Sequence, residues 1–224
     1  MQNFAGKTFV VRVDETAAYS DGSTLPADLT FLRGEGIRPI VVAPTPRAAQ
    51  RLVRSMNRAG NAAVGLSGRD AAMLPGQGSG IGTVQTGILD TLLDAGYVPI
   101  VEPTALGAFG SDDLFVEADD VARAIAAATD AVRAIFFHAL GGVANVETAA
   151  LIDELTPAEA LAIADDTRVT ADLRAAIRAA ALGVRAGVGA AQIVDGRIAH
   201  ATVMELVTAH HLGTQVTGSV FRRV

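Results

Sequence analysis

The run Arg38-Pro-Ile-Val-Val-Ala-Pro-Thr-Pro-Arg-Ala-Ala-Gln-Arg-Leu-Val-Arg-Ser-Met-Asn-Arg-Ala-Gly-Asn-Ala-Ala-Val-Gly-Leu66 holds a strand, a helix and a second strand in one sweep. Arg38 to Val42 is an apolar run of strand length, stopped by Pro44 and Pro46. From Arg47 to Arg58 the apolar residues recur at helical spacing, and Gly60 supplies the stop. Ala62 to Leu66 reads as a strand again. Strands that are apolar throughout, rather than in alternate positions, belong to sheets covered on both faces. This unit therefore predicts an α/β domain with a mainly parallel central sheet.

The same alternation extends in both directions. Thr8 to Val13 precedes the unit as a strand, and Leu25 to Arg33 as a helix closed by Gly34 and Gly36. After it come a helix over Ile88 to Ala95, a buried strand over Tyr97 to Val101, and a hairpin over Leu106 to Val116 turning at Gly110-Ser-Asp-Asp113. Asp119 to Thr129 is helical and Arg133 to His138 is a strand. In Thr156-Pro-Ala-Glu159 the threonine caps a helix, the proline suits its first position and the glutamate closes a capping box. A long helix over Thr170 to Arg185, a strand over Ala190 to Val194, a helix over 202–209 and a strand over 213–217 complete the chain. No linker, low-complexity tract or repeat divides it, so residues 1–224 read as one domain, with an N-lobe of about 1–130 and a C-lobe of about 131–224.

Of the 224 residues 50% are hydrophobic, enough for one sizeable core and too many for a disordered chain. Eighteen basic against 24 acidic residues leave a net charge of −6, and no basic stripe is evident, so a nucleic-acid groove is not expected. With no cysteine there is no thiolate nucleophile and no disulfide, as suits a reducing compartment. The longest uncharged stretch, Ala71 to Leu89, is broken by Pro75 and several glycines, and Met1-Gln-Asn-Phe4 has no leader pattern. A cytoplasmic location away from membranes is the expectation. Lys7 is the sole lysine beside 17 arginines, so chemistry needing two lysines or a Tyr-x-x-x-Lys pair has no residues to run on.

Gly76-Gln-Gly-Ser-Gly-Ile-Gly82 has the glycine density of a phosphate loop but follows the poor strand Met73-Leu-Pro75, and reads as a flexible loop. His138 closes a strand where parallel sheets collect their active sites. His200, His210 and His211 lack metal-ligand spacing, and no Gly-x-Ser-x-Gly surrounds a serine. Glu117, Asp119 and Asp120 open a helix, as capping charges do. Arg168, Arg174, Arg178 and Arg185 read as a solvated helix face, on which Arg174 and Arg178, four apart, are placed to hold an anion jointly.

Several segments, taken in order, resemble the amino acid kinase family and, within it, the N-acetylglutamate kinases. They are Gly6-Lys-Thr-Phe-Val-Val11, Gly36-Ile-Arg-Pro-Ile-Val-Val42, Asn57-Arg-Ala-Gly60 with Ala63-Val-Gly-Leu-Ser-Gly-Arg-Asp70, Leu92-Leu-Asp-Ala-Gly-Tyr-Val-Pro-Ile100, Leu151-Ile-Asp-Glu-Leu-Thr-Pro-Ala-Glu159, and Gln192-Ile-Val-Asp-Gly-Arg-Ile-Ala-His200 with Leu212-Gly-Thr214. The resemblance implies a three-layer α/β/α sandwich and a two-fold dimer. It also implies transfer of the γ-phosphoryl group of ATP, with Mg, to a carboxylate, which depends on lysines and on glycine loops whose amides approach the phosphates.

The matching positions depart from that chemistry as a set. Where the family has Lys-x-Gly-Gly after the first strand, this chain has Arg12-Val13-Asp14-Glu15, and where it has His-Gly-Gly-Gly after the second, Ala43-Pro44-Thr45-Pro46. Its Asn-x-Asn-Ala-Asp reads Phe115-Val-Glu117-Ala-Asp119, so the resemblance keeps at Asp119 the aspartate that organises the family's active-site lysines while both asparagines are gone; its Thr-Asp pair reads His138-Ala139, and its second catalytic lysine falls near Ala176, between Arg174 and Arg178. A few dozen residues that build the family's substrate lid are skipped after Arg47. Arginine does not replace lysine neutrally, because its planar fork directs donors differently. The expectation is a catalytically degenerate relative, a pseudokinase with a binding, regulatory or assembly role in amino acid or arginine-type metabolism, forming a homodimer or a complex with an active kinase.

Two enzymatic readings stay beside it. One is an acylphosphate-forming kinase that uses arginines with ATP and Mg. The other is a repurposed enzyme working through Asp14, Glu15, Glu117, Asp119 and His138, where paired carboxylates beside a histidine suit acid–base work or a divalent ion. Retained Gly65, Gly68 and Gly82 allow a third possibility, ATP binding without transfer.

Overall fold

The computed structural model describes residues 4–15, 17, 23–58, 60–108, 111–207 and 212–218. In chain order they form β1 (Thr8–Arg12), α1 (Leu25–Gly34), β2 (Arg38–Val42), α2 (Pro46–Arg58), β3 (Ala63–Leu66), the hairpin β4 (Gly76–Gln77) and β5 (Gly80–Ile81), and α3 (Gly87–Asp94). There follow β6 (Val98–Val101), the hairpin β7 (Thr104–Ala105) and β8 (Leu114–Phe115), α4 (Ala118–Ala128), β9 (Arg133–Phe137), β10 (Glu154–Leu155), α5 (Pro157–Ala164), α6 (Ala171–Arg185), β11 (Ala190–Val194), α7 (Ala201–Val207) and β12 (Thr214–Thr217).

Eight strands make one sheet in the order β10-β12-β11-β9-β1-β2-β6-β3. Every pairing in it is parallel except that of β11 with β12. Alternation along the strands builds two apolar layers. Val10, Ile40, Val42, Phe136 and Ile193 face α3, α4, α5 and α6, while Val11, Val41, Ile135, Phe137 and Val194 face α1 and α2. The result is the three-layer α/β/α sandwich.

Local rules explain most boundaries. The Thr156 hydroxyl accepts from the Glu159 N–H, and the Glu159 carboxylate accepts from the Thr156 N–H at 2.8 Å, completing the capping box. Pro46 opens α2, and the Thr45 hydroxyl accepts from the Ala48 N–H. Two expectations need correction, and one strand was not foreseen. Gly76 to Gly82 is ordered by the two-residue β4–β5 pairing, because the Gly82 N–H donates back to the Pro75 carbonyl at 2.7 Å. The hairpin expected over Leu106 to Val116 pairs Thr104–Ala105 with Leu114–Phe115 instead. The short strand β10 lacked a long enough apolar run to be seen in sequence. His210, His211, Gly110 and the end of the 202–209 helix lie outside the described residues.

The turn after β3 depends on one glycine. The Gly68 N–H donates to the Thr104 carbonyl at 2.9 Å, and the Gly68 carbonyl accepts from the Leu74 N–H at 2.8 Å. A Cβ on Gly68 would stand 2.0 Å from that Thr104 oxygen and 2.6 Å from Leu74 Cβ, whereas one on Gly65 would meet only Val53 Cγ2 at 3.3 Å. Gly68→Ala should cost about 3 kcal/mol or prevent folding, lowering Tm by about 6–12 °C, while Gly65→Ala should cost under about 1 kcal/mol. Equal melting temperatures for the two variants would refute this account of the turn.

Candidate functional site

The carboxyl ends of β1 and β9 lie side by side at the middle of the sheet, where parallel folds place their clefts. The two-residue period of β1 puts Arg12 on the same face as Val10, toward α4. There its guanidinium meets Asp119, in the first turn of α4: Nε lies 2.9 Å from Oδ1, and Nη2 donates to Oδ2 at 3.2 Å. The Nε–Oδ1 approach is an ion pair off the hydrogen-bond line, so neither atom gains a hydrogen bond from it. Nη1 donates to the Phe137 carbonyl at 3.1 Å, tying β1 to the end of β9.

Asp119 is 5% exposed. Burial pushes its carboxyl above the ordinary range, with Glu117 and Asp120 adding to the rise, against the opposing pull of Arg12 and His138. The pair is therefore held against a desolvation cost rather than formed at a profit.

His138, the first residue past β9, is buried and takes the Leu140 N–H on Nδ1 at 3.2 Å. Its Nε2 is left to face the Asp172 carboxylate, also at 3.2 Å, in the first turn of α6. Arg12, Asp119 and His138 are thus brought together, and Asp172 joins them from a position the sequence did not single out. Glu117, Asp119, Asp120, Arg174 and Arg178 line a cavity of about 320 Å³ between α4 and α6. Arg178 is engaged by Asp165 at 2.6 Å, whereas Arg174 Nε is buried with no hydrogen-bond partner. Arg168, expected on a solvated face, is clamped by the Asp166 carboxylate.

Other candidates go elsewhere. Asp14 accepts the Ala17 N–H at 2.7 Å as a cap, and Glu15 is exposed. Among the described residues no three His, Asp or Glu side chains form a group able to hold a metal ion. Of the expected group Asp14, Glu15, Glu117, Asp119 and His138, Asp14 is engaged as a cap and Asp119 in an ion pair, while Glu117 and Asp119 line one cavity. Gly65 lines a separate cavity beside β3, Gly68 serves the turn just described, and Gly82 belongs to the β4–β5 hairpin. His200 binds the buried Asp28 at 2.6 Å, away from the cleft. Arg197, missed in sequence, grips Asp195 and donates to the Ala139 carbonyl at 2.7 Å, so it shapes the loop beside His138.

Four backbone positions at this cleft have no amide to offer a phosphate. The Val13 N–H donates to the Val42 carbonyl, the Ala43 N–H donates to the Val101 carbonyl, and Pro44 and Pro46 have no N–H. The residues present do not fit a magnesium-bound triphosphate held in the usual glycine-loop manner.

The sequence profile of the amino acid kinase family matches residues 29–195. The chain belongs to that family. It is 30% identical over 268 residues to acetylglutamate kinase of Synechococcus sp. (strain WH7803), covering 97% of this chain and 91% of the relative. That alignment is longer than the 224-residue chain, so the relative carries residues this chain lacks. Acetylglutamate kinase of Nostoc punctiforme (strain ATCC 29133 / PCC 73102) is 30% identical over 273 residues, covering 99% and 91%. Among solved structures, N-acetylglutamate synthase from Neisseria gonorrhoeae, complexed with coenzyme A and N-acetyl-glutamate, superposes with TM-score 0.82 at 19% identity. The match covers 97% of this chain and 61% of that one. Carbamate kinase from Giardia lamblia bound to AMP-PNP gives 0.68 at 13% identity, covering 96% and 99%. These structural likenesses establish the shared fold. Among the described residues no helix is long and apolar enough to cross a membrane.

Breaking a buried pair from one side strands a charge, whereas removing both partners does not. Arg12→Ala should cost about 3 kcal/mol, and Arg12→Met with Asp119→Leu should stay within about 1 kcal/mol of wild type. Thermal or urea unfolding measures both; a silent Arg12→Ala would contradict the pairing. The sign with pH follows from Asp119. Above 3.8 the unfolded chain gives up a proton that the folded protein still holds, so this group lowers stability as pH rises through its elevated range. Asp119→Asn removes that slope.

Proposed function

We propose that this protein is a catalytically degenerate amino acid kinase, a pseudokinase related to the acetylglutamate kinases that binds rather than transfers. The carrying observation is that the Arg12 guanidinium is spent on Asp119 and the Phe137 carbonyl. A cation that must neutralise a migrating phosphoryl group has to face substrate, and this one is turned inward. The prolines at 44 and 46 and the committed amides of Val13 and Ala43 support the same reading. In this reading the protein works in the cytoplasm, in amino acid or arginine-type metabolism. It acts as a homodimer or in complex with an active kinase, the dimer being the default for a closed symmetric assembly.

One observation favours the arginine-using kinase as a second reading: Arg174, whose Nε has no partner, shares a cavity with Asp119. The two separate in a hydroxamate-trapping assay with ATP, magnesium and N-acetylglutamate, glutamate or carbamate, alongside calorimetry with ATP. The pseudokinase reading expects no acylphosphate above the enzyme-free blank and no saturable nucleotide binding. Turnover that is lost in both Arg12→Ala and Arg174→Ala would overturn it in favour of the second reading.

A further inference from the structure

The second cavity, about 420 Å³, lies where α2 passes the carboxyl end of β3, the last strand of the sheet, and shares no lining residue with the Arg12–Asp119 cleft. One wall is helical: Ala49 and Val53 give an apolar surface, and Gln50 and Arg54 stand one turn apart beside them. The opposite wall carries Ser67, Arg69, Asp70 and Glu102.

Two of the cavity's four charged side chains are already used. Asp70 accepts the Ser67 N–H at 2.7 Å, and Arg69 is held by Asp113 at 3.0 Å. Two are not. Among the described residues the Glu102 carboxylate has no hydrogen bond or ion pair, although it is half-buried just past β6 and burial raises its pKa despite the nearby Arg69. The Arg54 guanidinium likewise has no carboxylate partner among them, and both side chains line the one opening.

Helix α2 itself is built at a cost. Against the expectation that the chain has no basic stripe, the 4-3-4 spacing of Arg47, Arg51, Arg54 and Arg58 places all four, exposed, along one face of the helix. Like charges one turn apart each destabilise a helix by about 0.2–0.5 kcal/mol, and α2 has no acid in its first turn to satisfy the dipole. Arg58, in the last turn, suits the helix dipole. The stripe as a whole leads to the cavity, where it raises the local concentration of an anionic group.

A simple anion would fit Arg54 but face the uncompensated Glu102, and a simple cation the reverse. We propose that this cavity binds a small zwitterion of amino-acid type, its carboxylate on Arg54, its ammonium on Glu102, and its carbon skeleton against Ala49 and Val53. The volume is within the range of small-molecule sites and exceeds what one amino acid fills, so a skeleton longer than that of glycine is accommodated. The site stands independently of what happens in the central cleft.

The test is calorimetric titration of the full chain with β-alanine, γ-aminobutyrate, L-glutamate and L-arginine, with acetate and methylammonium as single-charge controls. At least one zwitterion should bind saturably while both controls do not. Arg54→Ala and Glu102→Gln should each weaken it about tenfold or more, with circular dichroism melts confirming that both variants fold. Arg174→Ala, in the other cavity, should leave the affinity unchanged. Binding by none of the four, acetate binding insensitive to Glu102→Gln, or loss of affinity only in Arg174→Ala would each overturn the assignment. Kinase activity is not among the readouts, so the proposed function stands or falls separately.

Discussion

Two opposite charges in the middle of the molecule have to be satisfied together. Arg12 closes the central strand and Asp119 opens the helix above it, with the carboxylate buried and the guanidinium largely so. The desolvation of Asp119 outweighs what Arg12 returns, so the pair does little for net stability. What it does is positional: through the Phe137 carbonyl it fixes the ends of β1 and β9 against each other and against α4. The central cleft takes its shape from that triangle.

The same triangle is what the proposed pseudokinase reading rests on. Transfer needs cations and amides that point at the substrate and are preorganised to meet developing charge. Here the cation points at the protein, and the turn after β2 has become a helix cap, with Thr45 receiving an amide and prolines on either side. What the cleft retains, His138 bound to Asp172 and Arg174 with an unsatisfied nitrogen, are parts able to contact a ligand. The cavity beside β3 is of another kind, since its unpaired charges sit on elements that the central pair does not touch.

Much of the fold was legible because its signals are local. The capping box at Thr156 and Glu159 involves residues three apart, and the strands read as apolar runs because a sheet covered on both faces leaves them no polar side. The Gly76–Gly82 segment was misread because its order comes from a two-residue pairing and a contact with Pro75, which composition does not encode. Of the candidate site, His138 and Asp119 were singled out by their positions at a strand end and a helix start and Arg12 by the family resemblance, and the fold brings the three together. Asp172 and Arg197 were not, because an acid in a first helical turn and an arginine in a turn look like ordinary capping and solvation. Asp14 and the glycines at 65, 68 and 82 were legible as residues but not as places, and the chain uses them for a cap, a rim, a tight turn and a hairpin.

The α/β class, the helices and the longer strands could be read along the chain, because they depend on residue type and short-range period; the departures from the family's lysines and glycine loops came from the resemblance. It took the folded molecule to show that Arg12 meets Asp119, 107 residues away in the chain, that His138 answers to Asp172, and that Arg54 and Glu102 face one cavity without partners among the described residues. Charge pairing across the layers of a sheet depends on register and crossing, and neither is written in any window short enough to be read along the chain.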